Sequence, residues 1–275
     1  MLKLISADSE LSTISKIHYR LYHQCNKKKK HEILPSVQVV DTIIKKTNAT
    51  HVIDIGSGVG YLSFAIAATL EIPVLGLELN ESNCRAAEKR KETISSFLDK
   101  EGAPKAIRGL FTSIPYTVNS EQDSAAFRGD IMDMITSHYP LRSQDYRILL
   151  IGLHTCGDLA SSTLRFFCDI PEICAVYNLG CCYNKITVPH DTVSNRTDSS
   201  QSQENCSKIS NFPLSQSVTD LCNNANLTLN RRLMLLGCQS ILRDNQEPSK
   251  TEQSMRILSY RAHIEVLLLL TTTKA

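Results

Sequence analysis

No run of the chain is apolar for long enough to cross a bilayer: the longest, Val266 to Leu270, falls far short of the roughly 20 residues a spanning helix needs. The start does not read as a secretory signal, because Lys3, Asp8 and Glu10 interrupt what would have to be its apolar region. Charge of one sign is not in excess either. Thirty Lys and Arg against 28 Asp and Glu leave +2, which excludes a highly charged tail protein and argues against a large nucleic-acid footprint. Ten cysteines in 275 residues are too few for a disulfide scaffold, which runs at roughly 8 to 10 %. These absences predict a soluble intracellular protein, cytoplasmic or nuclear, with reduced thiols and no membrane partner. The 42 % of hydrophobic and 21 % of charged residues are ordinary for a globular chain, and one α/β domain with insertions is the economical reading of its length.

Hydrophobic periodicity divides the chain further. Residues 1–46 read as a helical arm, with Ile14, Ile17, His18 and Leu21 at helical spacing, then the basic run Lys27 to Lys30, then an apolar set from Ile33 to Ile44. Residues 47–188 read as a core of alternating strands and helices. His51 to Ile55 is a strand ending in a glycine turn and a buried helix; Pro73 to Leu79 is a second strand, followed by a helix over Glu81 to Phe97 that Asn80 or Ser82 can cap. Ala106 to Phe111 is a weak strand candidate, and Ser113 to Asp133 a polar excursion before a short helix around Ile135. Arg147 to Leu153 is the continuous apolar run of a buried parallel strand, with Asp158 placed to cap a helix over Leu159 to Phe167, and Ile173 to Leu179 is a further strand. This alternation predicts a doubly wound, mostly parallel sheet with helices on both faces. Residues 189–211 are Ser-, Asn- and Asp-rich and read as a flexible surface loop; residues 212–275 carry an apolar stretch from Leu227 to Cys238 and a helix from Met255 to Leu270.

The chemistry concentrates in Asp54-Ile55-Gly56-Ser57-Gly58-Val59-Gly60. At the carboxyl end of a parallel strand, such a turn lets backbone amides and a helix N-terminus approach a ligand closely. A dinucleotide turn needs Gly-x-Gly-x-x-Gly; here the third glycine falls one position early and Tyr61 stands in its place. A carboxylate two residues before the first glycine repels a pyrophosphate and favours an ammonium or sulfonium cation, and S-adenosylmethionine carries both. Glu78, at the end of the next strand, stands about where an acid accepts hydrogen bonds from a ribose diol. Asp54, Gly56, Ser57, Gly58, Gly60 and Glu78 are therefore the candidate cofactor residues.

The turn resembles motif I of class I methyltransferases. Lys28-Lys29-Lys30-His31-Glu32-Ile33, Gly152-Leu153-His154-Thr155-Cys156-Gly157-Asp158-Leu159-Ala160 and Asn178-Leu179-Gly180-Cys181-Cys182-Tyr183 are similar to the methyltransferase-like protein 25 family. Some members of that family are named for a ribosomal RNA adenine dimethylase domain. The Lys-Lys-x-His-Glu and Leu-His-x-Cys-Gly elements also resemble a eukaryotic tRNA 2′-O-methyltransferase family. Phe212 to Ser215 and Tyr260 to Ala262 extend the similarity, which runs from about residue 27 to 267. The resemblance implies a Rossmann-like class I fold, S-adenosylmethionine as cofactor, His31 and Glu32 near its methionine end, and RNA or protein as acceptor, with RNA favoured. It also implies antiparallel strands after Leu270, so residues 212–275 read as an incomplete end of the domain.

His154, at the end of the strand that faces the acceptor in such folds, can take a proton from an attacking hydroxyl or amine; fixing a loop is its alternative role. Tyr183 can stack on a flat acceptor or pack against the sheet. No Asn/Asp-Pro-Pro-Tyr clamp of adenine methyltransferases occurs. His154, Cys156, Cys181 and Cys182 lie at the ends of adjacent strands, but the absence of any Cys-x-x-Cys pair favours thiols lining a pocket over a metal. Lys27 to Lys30 can contact phosphates or face solvent. A fold-keeping interaction protein without turnover is the alternative reading, and a nicotinamide-dependent oxidoreductase the third.

Overall fold

The central strand, β1 (His51–Ile55), is buried along its whole length, which is what a parallel sheet covered on both faces demands. Its two polar residues are partnered: His51 lies between the Thr50 hydroxyl at 2.9 Å and the Tyr139 carbonyl at 3.1 Å, and Asp54 accepts from Ser63. On one side follow β2 (Val74–Glu78) and β3 (Phe111–Pro115), on the other β4 (Ile148–Leu153) and β5 (Ile173–Leu179). The order is β3-β2-β1-β4-β5, every neighbouring pair parallel. The chain reverses direction across the sheet between β1 and β4, and in open α/β sheets the ligand crevice lies outside the carboxyl ends at that point.

The computed structural model describes residues 25–100, 105–119, 121–141, 145–188 and 211–226, with isolated helical positions at 21, 234, 252, 256, 259 and 260. Its helices are α1 (Lys27–Thr47), α2 (Tyr61–Leu70), α3 (Glu81–Lys100), α4 (Ser124–His138), α5 (Asp158–Asp169) and α6 (Gln216–Asn224). Successive strand residues point to opposite faces, and two separate cores result. Val52, Leu149 and Ile151 pack with Ile33, Val37 and Val40 of α1, Phe64 and Ile66 of α2 and Ile94 of α3. Ile53, Ile55, Ile148 and Leu150 pack with Phe127, Ile131 and Ile135 of α4 and Phe166 of α5, where Phe127 and Phe166 stack with ring centroids 4.0 Å apart. This is the doubly wound Rossmann-like architecture expected from the alternation.

Local differences have local causes. Residues Lys105–Leu110 form a 3-10 turn, not a strand; Arg108 is held there by Asp99 at 3.0 Å, and pairing begins only at Phe111, opposite Val74. Much of the expected polar excursion is α4, whose N-cap Asp123 accepts from the Ala125 and Ala126 amides. Only Phe127, Ile131 and Ile135 are fully buried on its core face, so composition hid it. Asp158 opens α5 but is not its N-cap, which is Gly157. The Asp158 carboxylate instead accepts from the Thr187 amide and hydroxyl, each at 2.6 Å.

Two units divide the chain, Met1–Arg231 and Arg232–Ala275. All the elements above belong to the first; in the second, Arg256 donates to Glu252 at 2.9 Å. The expected helical set from Ile14 to His18, the polar segment 189–210 and the apolar stretches from 227 onward lie outside the described residues, apart from isolated positions. No helix among the described residues is long and apolar enough to cross a membrane.

Candidate active site

The glycine turn is shaped by its backbone. Gly56, Gly58 and Gly60 have φ of 70°, 57° and 71°, in the left-handed region where a side chain is strained. Gly60 faces a second constraint, since a Cβ there would lie 2.7 Å from the Phe111 ring. The Gly56 and Ser57 amides donate to the Leu77 carbonyl at 2.8 and 3.1 Å, fastening the turn to β2. Glu78, the last residue of β2, completes it: one carboxylate oxygen accepts from the Gly58 amide at 2.9 Å, and the other accepts from the Asn80 amide and the Asn83 side chain at 3.0 and 3.1 Å. The two regions that the sequence singled out separately are thus one hydrogen-bonded unit.

Asp54 stands apart from the direct contact the motif suggests. It is 2 % exposed, and its Oδ2 accepts from the Ser63 hydroxyl of α2 at 2.6 Å. Burial pushes its carboxyl up, the Ser63 hydrogen bond opposes this, the Glu78 charge adds to it, and the result is about 7. A buried carboxyl poised there can respond to a cation at the turn through the field as well as through contact.

Helix α1 reaches the same region. Tyr61, the residue that displaced the dinucleotide reading, is gripped between Lys29 and Arg90, each 3.9 Å from its ring centroid. Arg90 in turn donates to the Leu21 carbonyl at 2.7 Å. Sequence reasoning missed this clamp, because Arg90 is an ordinary polar helix residue until the fold buries it. Glu32 lies 3.4 Å from His154 Nε2, with Lys28 at 3.7 Å on its other side. His31 lies on the exposed side of α1.

The loops after β4 and β5 form the other wall. His154 has φ 68°, a conformation that costs a non-glycine residue free energy and is concentrated at functional sites. Its amide donates to the Leu179 carbonyl at 2.8 Å, and the Thr155 hydroxyl donates to the Asn178 side chain. Tyr183 is 51 % exposed; it does not pack into the sheet, because the 3-10 turn Tyr183–Lys185 carries it outward beside Gly180. Cys156, Cys181 and Cys182 converge as expected from their strand ends, whereas His154 turns to Glu32.

Two features test the fit to S-adenosylmethionine. The Ser57 hydroxyl is buried with no hydrogen-bond partner among the described residues, and a Glu carboxylate stands at the end of β2 in contact with the glycine turn. A ribose diol and the ammonium and sulfonium cations of the cofactor would meet acceptors there, while a pyrophosphate would meet carboxylates. Gly56, Gly58, Gly60 and Ser57 would hold the methionine side and Glu78 the ribose.

A 39-residue segment is 56 % identical to the Mus musculus protein named "Probable methyltransferase-like protein 25" and 54 % identical to its Homo sapiens counterpart. The segment is 14 % of this chain and spans only 6 % of either relative's length. Among solved structures, M. capricolum TrmK in complex with S-adenosyl-homocysteine shares 14 % identity over 57 % of this chain and 54 % of that one, with a TM-score of 0.32. A family model described as a methyltransferase domain matches residues 28–189. That match takes in α1, the glycine turn, Glu78, His154 and Tyr183, and by it the chain belongs to the methyltransferase-domain family.

Proposed function

We propose that this chain transfers a methyl group from S-adenosylmethionine to RNA, with His154 as the base. The observation that carries the reading is the string Lys28–Glu32–His154, at 3.7 and 3.4 Å. It joins a basic helix start, suited to phosphates, to a histidine at the acceptor end of β4. When bound, the cofactor supplies an electrophilic methyl group whose bond to sulfur breaks, with its electron pair, as the bond to the acceptor forms.

The chain's own residues do the rest. A carboxylate only accepts, so Glu32 holds the proton-bearing Nε2 of a neutral His154 and leaves Nδ1 as the lone pair that takes the acceptor's proton. Gly58 and Glu78 fix one reactant, and the exposed Lys27 and Lys28, together with half-exposed Tyr183, suit the other. Positioning of this kind is worth up to roughly 7 to 11 kcal/mol in well-oriented systems. An intracellular setting, cytoplasmic or nuclear, belongs to the same proposal.

Incubation of the chain with methyl-labelled cofactor and either total RNA or total protein tests this. Label in nuclease-sensitive material is expected, reduced when Lys27 and Lys28 are changed to Glu. Label in protein alone overturns the RNA assignment; cofactor binding by calorimetry with no transfer to either pool favours the non-catalytic interaction protein.

A further inference from the structure

We propose that Cys156, Cys181 and Cys182 form a three-thiolate site for a thiophilic divalent cation of the zinc class, outside the cofactor turn and independent of it. Cys156 lies between β4 and α5, and Cys181 and Cys182 between β5 and the following 3-10 turn. The two strands are adjacent and parallel, with Gly152 opposite Asn178 and Leu153 opposite Leu179, so both loops leave the same edge of the sheet. Cys156 and Cys181 have sulfurs 2.9 Å apart, Cys181 and Cys182 3.5 Å, and all three lie within 4.8 Å of one another. Zinc–sulfur bonds of about 2.3 Å in tetrahedral geometry place sulfurs roughly 3.8 Å apart, so only small side-chain adjustments separate this arrangement from a coordination sphere.

The surroundings favour an ion over simple packing. Free cysteine ordinarily behaves as a small buried hydrophobe, as Cys25 and Cys84 do here; Cys181 is exposed and the other two are half-buried. A disulfide would consume two sulfurs and leave the third beside it, whereas a cation uses all three. The loops are also braced from behind. A Cβ at Gly157 would lie 2.9 Å from the Lys185 carbonyl oxygen, Thr155 binds Asn178, and Asp158 binds Thr187. Cys156 precedes the N-terminus of α5, where a thiolate is favoured. Among the described residues no other His, Cys, Asp or Glu joins the group, which leaves a fourth position for water or an incoming ligand. On binding, each thiol gives its proton to solvent. The missing Cys-x-x-Cys spacing does not bear on this set, because its ligands come from two loops. The cation would bolt together the loops that carry His154 and Tyr183.

Titrating the reduced, chelator-treated full chain with Co2+ as probe tests the site. Sulfur-to-cobalt charge-transfer absorption that saturates at one equivalent is expected, displaced by Zn2+ and accompanied by proton release. Cys156→Ser, Cys181→Ser and Cys182→Ser should each weaken binding about tenfold or more, on the scale of lost metal-site support, while Cys168→Ser on α5 should not. Circular dichroism in chelator checks that each variant matches the metal-free parent. Where a serine variant does not fold, alkylation decides: saturating Zn2+ should protect the three thiols together in the unmodified chain, but not Cys168. No charge-transfer band, unchanged affinity in the three variants, or equal alkylation with and without Zn2+ overturns the proposal. So does a Cys156–Cys181 disulfide in a chain that takes up no Co2+ after reduction.

Discussion

Glu32 and His154 are separated by 122 positions in the chain, yet the carboxylate of one lies 3.4 Å from the Nε2 of the other. The contact links α1 to the end of β4 across the mouth of the sheet. If it sets the tautomer of a general base, His154→Ala should lower kcat by about 10² to 10⁴, the usual contribution of such a group, with cofactor affinity unchanged. Glu32→Gln keeps an acceptor of the same shape and should cost less, about tenfold. Single-turnover transfer assays beside calorimetry check both; a His154→Ala variant with full turnover would remove histidine from the chemistry.

Glu78 gives a sharper test of the cofactor site. Its carboxylate already holds the Gly58 amide and two donors at the start of α3, so removing it loosens the turn and deletes the proposed ribose acceptor together. Hydrogen bonds to charged groups are worth about 1.5 to 3 kcal/mol, and Glu78→Ala should therefore weaken S-adenosylmethionine binding by roughly 10- to 150-fold. Calorimetry measures this, and undiminished affinity would mean the cofactor lies elsewhere.

The strands and the glycine turn were legible in the sequence because their signals are local. An apolar run closed by Gly-x-Gly-x-Gly has few alternative conformations, which marks β1, and β2, β4 and β5 follow from apolar runs of their own. What stayed hidden depends on partners far along the chain. Phe111 starts β3 because Val74 and Phe64 receive it, not because its neighbours favour a strand. Arg90 looks like a solvated helix residue until Tyr61 and the Leu21 carbonyl take up its guanidinium. Asp54 was legible as a carboxylate at the turn, but its full burial against Ser63 was not. The three cysteines were visible as strand-end residues on adjacent strands, and the side-chain positions bring their sulfurs within 4.8 Å of one another.

Gly60 carries two constraints that one substitution can separate. Alanine there must adopt φ near 71°, at about 1 to 2 kcal/mol, and must also displace Phe111, at about 1 to 3 kcal/mol for overpacking. Gly60→Ala should lower Tm by several degrees. Adding Phe111→Leu should recover only the steric part, so that the double variant is more stable than the sum of the singles predicts. Strict additivity in thermal unfolding would refute the Phe111 contact.

Asp54 should make both stability and cofactor binding depend on pH. Unfolded, its carboxyl loses a proton near its ordinary 3.8; folded, burial above all holds the proton until about 7. Between these values the folded state binds more protons than the unfolded one, so stability falls as pH rises from about 4 to 7 and levels off above. The full cost approaches about 4 kcal/mol, at 1.36 kcal/mol per pH unit. Asp54→Asn, whose amide oxygen still accepts from Ser63, should match the parent at pH 4 and be the more stable protein at pH 8. A cation at the turn favours ionised Asp54, so parent affinity for S-adenosylmethionine should rise by up to about tenfold per pH unit below 7 and then flatten. The asparagine variant should show weaker binding without that slope. Thermal unfolding and calorimetry across this range measure both quantities, and identical slopes in parent and variant would show that Asp54 titrates in neither process.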